Sequence, residues 1–209
     1  MTPKMNDLLR LQPRAALILD APAPDWVAPS LAGIPWVVVR RGEIRNGVIP
    51  VGVRGLARAE RFKALVSLSG VAYRVSPEEL AGRRSEPWRA AQVPALAALA
   101  RVDPVLTLRG HRWGPIGSVG FELATSLPAA NPTSDLDLVL RLEDPLGPRE
   151  ARKLLRELVE AAAPARANVV VETRLGAVNL GDLALRSDRV LMKTANGVRL
   201  IADPWQEAA

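Results

Sequence analysis

Cysteine is absent from this 209-residue sequence, and histidine occurs once, at His111. Without cysteine the chain can form no disulfide, no thiolate zinc site and no cysteine nucleophile. A single histidine excludes metal sites built from several histidines and disfavours a histidine-based catalytic triad. Any metal must therefore be held by carboxylates, which favours a hard ion such as Mg²⁺.

Aromatic residues and long apolar runs are also scarce. Two Phe and one Tyr beside five Trp do not form the aromatic and basic surface of a single-strand nucleic-acid binder, so we expect no nucleic-acid partner. No stretch approaches the roughly 18 apolar residues of a membrane-spanning helix, and the N-terminal residues do not resemble a signal peptide. We expect a cytoplasmic protein without a membrane segment.

Positive charge is concentrated in the first half of the chain. The formal net charge is +6, and residues 1–104 carry all of it, because residues 105–209 hold equal numbers of basic and acidic side chains. This distribution indicates an anionic ligand or partner for the first half. Arginine makes up all but four of the 28 basic residues, which suits phosphate recognition but also fits the codon bias of an Ala- and Arg-rich genome.

The pattern of apolar residues predicts an α+β protein with two domains. In the first half we expect strands at 36–40, 48–54 and 70–75, a hairpin turn at Asn46-Gly47, and helices at 59–68 and from Ser76. A Pro- and Arg-rich stretch, 82–94, predicts a boundary between a small mixed α/β domain, 1–90, and a second domain, 91–209. There we expect helices at 95–102, 119–124 and 148–163, and strands at 135–140, 169–173 and 177–180.

One pair of motifs carries chemistry. Gly117-Ser118 is followed, after 16 residues, by Asp135-Leu136-Asp137-Leu138. On a strand the two aspartates point to one face, where they repel each other unless a cation or water lies between them. A Gly-Ser helix start offers backbone N–H groups and a hydroxyl to a phosphate tail. The spacing favours a metal-assisted phosphoanhydride site; the alternative is a solvated edge strand.

The motif pair resembles the signature of the nucleotidyltransferase superfamily. The resemblance is closer to the phosphoribosyl-dephospho-CoA transferases of malonate decarboxylase, also called holo-(acyl carrier protein) synthases. It covers residues 5 to 205 and rests on an ordered set of segments: 50–55 with Arg58 and Arg61, 117–125, 134–140, 172–173 with 176–178, 193–194 and 203–205. It implies a nucleotidyltransferase-like second domain with a mixed sheet and flanking helices.

The resemblance also implies an activity. The enzyme would transfer a prosthetic group from 2′-(5″-triphosphoribosyl)-3′-dephospho-CoA to a serine of the apo acyl carrier subunit, releasing pyrophosphate. Asp135 and Asp137 match the family's catalytic, metal-binding pair, with Mg²⁺ at one or two positions, and Gly117 and Ser118 would bind the leaving group. Two alternatives are AMP transfer to a small molecule, tRNA or protein, and a catalytically silent nucleotide-binding module.

The third carboxylate common in the superfamily is missing, since Asn168 stands where it is expected. Glu172 shares a strand face with Asn168 and is the candidate substitute ligand, with Asp182 behind it; the alternative for Glu172 is an ordinary exposed strand residue. The missing carboxylate gives the silent-module alternative its weight.

Four basic residues are candidate substrate contacts. The set consists of Arg54, Arg58, Arg61 and Lys193. The arginines would bind the phosphates of the donor or the acidic surface usual for a carrier protein, and the lysine a phosphate. Their alternatives are a solvated basic face and a lysine that keeps a strand edge soluble.

Overall fold

The computed structural model describes residues 2–55, 57, 59–185 and 188–206. The chain forms two compact units, residues 1–76 and 77–209. The sequence placed the boundary at residue 90, within a stretch rich in proline and arginine. In the structure this stretch includes a short helix that belongs to the second unit, and the division lies at Ser76.

The first unit is an antiparallel sheet with one α-helix and one short 3₁₀ helix, Leu68–Gly70, in its described part. The strands are β1 (Leu8–Leu11), β2 (Leu17–Ile18), β3 (Trp36–Val39), β4 (Val48–Arg54), β5 (Arg61–Ser67) and β6 (Val71–Val75), and the helix is α1 (Val27–Gly33). Their order in the sheet is β2-β5-β4-β3-β1-β6. The core is built from alternate strand residues, among them Leu9, Val37, Ile49, Val51 and Val66, which are fully buried.

The predicted turn at Asn46-Gly47 is confirmed. Both residues have positive φ, 51° and 73°, as a two-residue hairpin turn of the primed type requires. The helix predicted at 59–68 is wrong, because β5 occupies this segment and pairs with β4 along its whole length. Ala64 and Val66 are buried on one face of β5. Pairing with the hydrophobic strand β4 therefore overrides the local helical preference of this segment.

The second unit contains the remaining elements. In the part that the structure describes, its helices are α2 (Pro77–Leu80), α3 (Pro87–Gln92), α4 (Pro94–Thr107), α5 (Gly117–Thr125), α6 (Pro148–Ala162) and α7 (Leu180–Ala184). Its strands are β7 (Arg112–Pro115), β8 (Leu136–Arg141), β9 (Ala167–Glu172), β10 (Ala177–Asn179), β11 (Val190–Thr194) and β12 (Gly197–Ile201). The strands lie in the order β12-β11-β10-β9-β8-β7, and only the described pair β8–β9 is parallel.

This arrangement confirms the predicted α+β class with a mixed sheet and flanking helices. The helix α6 connects the two parallel strands, as a crossover connection must, and it contacts α4, α7 and β9. Arg101 on α4 caps the C-terminal end of α6. It donates from Nε to the Ala161 carbonyl at 2.8 Å and from Nη2 to the Ala163 carbonyl at 2.7 Å. No helix among the described residues combines the length and the apolar character needed to cross a membrane.

Candidate active site

The acidic pair lies at the start of β8, the second strand from one edge of the sheet. Asp137 is the second residue of β8, and Asp135 lies one residue before the strand, which begins at Leu136 rather than at Asp135. Leu136 and Leu138 are fully buried, while Asp137 between them is only half-buried. Alternation along the strand therefore keeps the Asp137 carboxylate off the core face. Asp135 is also half-buried, with Oδ1 4.0 Å from Nε of the exposed Arg166.

The Gly-Ser motif is brought directly against Asp137. The strand β7 runs antiparallel to β8, and the chain turns into α5 at Gly117, where φ is +64°. The Ile116 N–H donates to the Asp137 carbonyl at 2.9 Å. A Cβ on Gly117 would lie 2.5 Å from Asp137 Oδ2, so any side chain here would displace the carboxylate. Only glycine combines this backbone angle with this close approach.

The start of α5 therefore faces the acidic pair. Ser118 is half-buried in the first turn of the helix, and the first backbone N–H groups of a helix have no partner within it. A second glycine, Gly120, allows the helix to approach β7, because a Cβ there would lie 2.5 Å from the Pro115 carbonyl oxygen. The result is a carboxylate beside a helix N-terminus, which can hold a cation and an anion next to each other.

Asn168 occupies the position next to Asp137 on the neighbouring strand. The two residues are register partners in the parallel pair β8–β9, and the Asn168 amide donates from Nδ2 to Asp137 Oδ1 at 2.9 Å. Asn179 donates in turn from Nδ2 to Asn168 Oδ1, 2.9 Å, and accepts at its own Oδ1 from the Gly181 N–H, 2.7 Å. This amide chain anchors the Asp137 carboxylate to the start of α7.

Sequence reasoning missed Asn179. Its position immediately before α7 could have indicated it, because an asparagine at the start of a helix accepts a hydrogen bond from an N–H of the first turn. Its link to Asn168, by contrast, depends on the pairing of β9 and β10, which brings residues 11 apart in the chain together.

Truncating Asn168 is expected to lower turnover. In Asn168→Ala the Asp137 carboxylate loses a hydrogen bond that holds it in place; such bonds to a charged group contribute about 1.5–3 kcal/mol. We expect kcat to fall about 10- to 100-fold, with a smaller change in the KM for the donor, measured by steady-state kinetics. Asn196→Ala, at an exposed turn, is the control. A wild-type kcat in Asn168→Ala would contradict this role.

Glu172 is placed away from the acidic pair, which corrects its candidacy as a metal ligand. It is the register partner of Arg141, four residues along β8 from Asp137, or about 13 Å at the rise of a strand. The Glu172 carboxylate is buried in an ion pair with Arg141, which also donates from Nε to Glu78 Oε1 at 2.6 Å. Glu172 thus shares the face of Asp137 but belongs to a structural network at the other end of the sheet.

The other acidic candidate adds no metal cluster. Asp182 lies in the first turn of α7. Within the described ranges, no group of three or more His, Cys, Asp or Glu side chains is arranged to hold a metal ion. A cation at this site would therefore be held by Asp135 and Asp137 together with oxygen atoms of the substrate.

A buried carboxylate holds the loop that leads to Asp135. Glu122 on α5 accepts from Arg89 Nε at 2.8 Å and Nη2 at 2.9 Å, and from the N–H groups of Ala129 and Ala130, each at 2.9 Å. Burial by itself raises the pKa of the Glu122 carboxyl. The hydrogen bonds from Arg89 and the two N–H groups outweigh burial, so this pKa is below its ordinary value. Sequence reasoning did not find this cluster.

The basic candidates are divided between the two units. Arg54 and Arg61 are register partners at the end of the β4–β5 hairpin in the first unit. Burial and the neighbouring charge of Arg61 lower the pKa of the Arg54 guanidinium. Arg58 lies outside the described residues. Lys193 is exposed on β11 of the second unit, opposite Ala177.

Comparison with known proteins identifies related chains over both units. Residues 4–77 match the family described as "Phosphoribosyl-dephospho-CoA transferase MdcG N-terminal domain", and residues 79–204 match the corresponding C-terminal domain. No solved structure matches the chain.

Curated relatives named phosphoribosyl-dephospho-CoA transferase match nearly the whole chain. The protein of Pseudomonas putida (strain GB-1) is 43% identical over 97% of this chain and 95% of its own length. The protein of Azotobacter vinelandii is 43% identical over 91% and 90%, and that of Klebsiella pneumoniae (strain 342) is 40% identical over 98% and 97%. With an acidic pair set against a Gly-Ser helix start, and with relatives that match it along both units, the chain belongs to the phosphoribosyl-dephospho-CoA transferase family of enzymes.

Proposed function

We propose that the enzyme transfers the phosphoribosyl-dephospho-CoA group from 2′-(5″-triphosphoribosyl)-3′-dephospho-CoA to a serine of the malonate decarboxylase acyl carrier subunit, in the cytoplasm. The observation that carries the proposal is the position of Asp137, whose Oδ2 atom lies against the Gly117 turn at the start of α5. A triphosphate donor needs a cation and an anion-binding group side by side. The acidic pair and the helix start provide both.

Mg²⁺ is the ion that these ligands fit. Asp135 and Asp137 would hold it, and two carboxylates with substrate phosphates are the set that Mg²⁺ commonly takes. A neutral amide, Asn168, stands beside Asp137 and donates to it, in the place of the third carboxylate that would add negative charge for one or two ions. When bound, the ion neutralises charge on the triphosphate and polarises the reacting phosphoryl group.

The side chains of this enzyme position the reactants. The serine Oγ of the carrier forms a bond to the α-phosphorus of the donor, the bond from that phosphorus to the bridging oxygen breaks, pyrophosphate leaves, and the serine proton passes to solvent. The N–H groups at the start of α5 and the Ser118 hydroxyl would receive the leaving pyrophosphate. The amide of Asn168 keeps the Asp137 carboxylate aligned throughout.

The basic candidates would bind anionic groups of the donor or of the carrier. Arg54 and Arg61 lie directly opposite each other on neighbouring strands, so they place two positive charges together in the half of the chain that carries the net charge. We assign this pair, with Arg58, to phosphate or carrier contacts. Lys193 is an exposed cation of the second unit, and we assign it to contacts with phosphate or with carboxylates of the carrier.

A transfer assay with purified components tests the proposal. The enzyme is incubated with the donor, Mg²⁺ and the apo-carrier. Released pyrophosphate is quantified, and the mass of the carrier is measured by mass spectrometry. We expect one prosthetic group per carrier, one pyrophosphate per transfer, and loss of both on addition of EDTA. A carrier with Ser→Ala at the accepting residue is the control. Modification with ATP in place of the donor, or no modification at all, would reject the proposal.

A further inference from the structure

An apolar patch is exposed on the β11–β12 hairpin. It consists of Leu191, Val198 and Leu200, which are 44%, 60% and 63% exposed, and we call it the hairpin face. Val190 and Met192 on the same hairpin are buried, because neighbouring residues of a strand point to opposite faces. One side of the hairpin therefore packs on the protein, while the other presents large apolar side chains to solvent. Such clusters mark interaction sites more often than single exposed residues do.

Strand register places the hairpin face on the same side of the sheet as the active site. Ala177 on β10 pairs with Glu172 on β9 and with Lys193 on β11. Because paired residues share a face and alternate residues along a strand also share it, Leu191 lies on the face that carries Glu172. That face of β9 also carries Asn168.

The hairpin face lies within the reach of a docked domain from the acidic pair. Asn168 pairs with Asp137, and Leu191 pairs with Leu200. The strands β11 and β12 are the third and fourth from β8, or about 14 and about 19 Å across the sheet, and the register sets Leu191 two residues and Val198 four residues along the strands from Asp137. The patch therefore extends from about 16 to about 23 Å from Asp137. A domain of about 100 residues has a radius of gyration near 13 Å. A partner of that size seated on the patch would reach the acidic pair.

Charge around the patch is positive. The segment 188–201 contains three exposed basic residues and one exposed acidic residue, Asp188. Of the basic residues, Arg189 and Lys193 alternate with Leu191 on the hairpin face, whereas Arg199 pairs with Met192 on the opposite face. Lys193 pairs with Val198 in the hairpin and so lies among the apolar side chains. A surface of this kind is complementary to an apolar side chain flanked by carboxylates.

We propose that the apo acyl carrier subunit docks on the hairpin face, with an apolar residue on Leu191, Val198 and Leu200 and with carboxylates near Lys193 and Arg189. This inference rests on the proposed function, because that function requires a macromolecular serine to reach the α-phosphorus beside Asp137. The docked carrier extends along the sheet from β12 towards β8, and its serine enters the active site over Asn179 and Asn168.

Charged substitutions on the hairpin face test the docking site. In Leu200→Asp and Val198→Asp we expect the Kd for the Ser→Ala carrier, measured by calorimetry, and the KM for the apo-carrier each to rise about 10- to 100-fold, as for loss of a buried apolar contact. The KM for the donor and the kcat at saturating carrier are expected to stay within about twofold. Binding by the wild-type enzyme should also weaken as salt is raised.

A matched control and a folding check accompany these variants. Leu108→Asp makes the same change at an exposed leucine just after α4, which is 86% exposed, and should leave carrier binding unchanged. Thermal melting establishes that each variant is folded; if one is not, Leu200→Ser replaces it, with a smaller rise in Kd expected.

The outcomes separate the docking site from the proposed function. Unchanged carrier affinity in folded Leu200→Asp and Val198→Asp overturns the docking site, even if the wild-type enzyme modifies the carrier. Carrier binding that is lost in these variants supports the docking site even if no pyrophosphate is released, a result that would reject only the transfer reaction. A wild-type dimer that Leu200→Asp converts to a monomer, with unchanged carrier affinity, would assign the patch to self-association and overturn the inference.

Discussion

Replacing Asp137 by Asn is expected to reduce transfer at least about a thousandfold, because metal-ion stabilisation of the transition state contributes several kcal/mol and each tenfold in rate corresponds to 1.36 kcal/mol. The change keeps the size of the side chain, so the contact with Gly117 is preserved. It removes the negative charge that would hold Mg²⁺. The measurement is pyrophosphate release with saturating donor and carrier. Asp135→Asn is expected to show a loss of the same kind.

Binding of Mn²⁺ as a spectroscopic substitute provides a second measurement for these variants. The affinity for Mn²⁺, followed by electron paramagnetic resonance, should fall in both Asp137→Asn and Asp135→Asn. We expect this fall in the presence and in the absence of donor. Asp144→Asn, in an exposed turn beyond the opposite end of β8, is the control and should retain both activity and Mn²⁺ affinity. An active Asp137→Asn enzyme would refute the assignment of this carboxylate to the metal.

Removing Glu122 is expected to produce the largest loss of stability. In Glu122→Ala the Arg89 guanidinium remains largely buried without its carboxylate, and the N–H groups of Ala129 and Ala130 lose their acceptor. Breaking a buried pair in this way costs about 3–5 kcal/mol. Urea unfolding followed by circular dichroism measures the free energy of unfolding. Glu143→Ala, which removes a solvent-exposed ion pair with Arg174, should cost at most about 1 kcal/mol.

The contribution of Glu122 to the free energy of unfolding should also depend on pH, and it should decrease in acid. Because its pKa is lowered in the folded protein, its stabilising effect is complete above the ordinary glutamate pKa of about 4.3 and is lost as the pH falls through the lowered value. The difference in unfolding free energy between the wild-type protein and Glu122→Ala should therefore be constant near neutral pH and shrink in acid. A difference that grows as the pH falls would contradict the assignment.

Much of the site follows from local sequence patterns. The absence of cysteine and the single histidine leave carboxylates as metal ligands, and the Asp-Leu-Asp-Leu alternation predicts a strand with one buried and one polar face. Asp137 is indeed half-buried between two fully buried leucines. Gly117 begins a helix as expected. Each of these features depends on residues within a few positions of one another, which is why they could be predicted.

Errors arose where distant segments decide the structure. The segment 59–68 has residues compatible with a helix, but pairing with β4 makes it a strand. Glu172 shares the strand face of Asn168, as the alternation predicts, yet the register of β8 with β9 places it opposite Arg141. Alternation within one strand is local, whereas the position of a residue along its neighbour is set by how two separate strands pair.

By itself, the sequence determined the kind of chemistry: two aspartates, a Gly-Ser helix start and an excess of positive charge in the first half. Tertiary structure decided how these groups are arranged. It set Gly117 against Asp137, linked that carboxylate through Asn168 to Asn179, and moved Glu172 into a buried ion pair. The physical reason is that residue type sets what a group can bind, while its partners are set by burial and strand pairing between segments far apart in the chain.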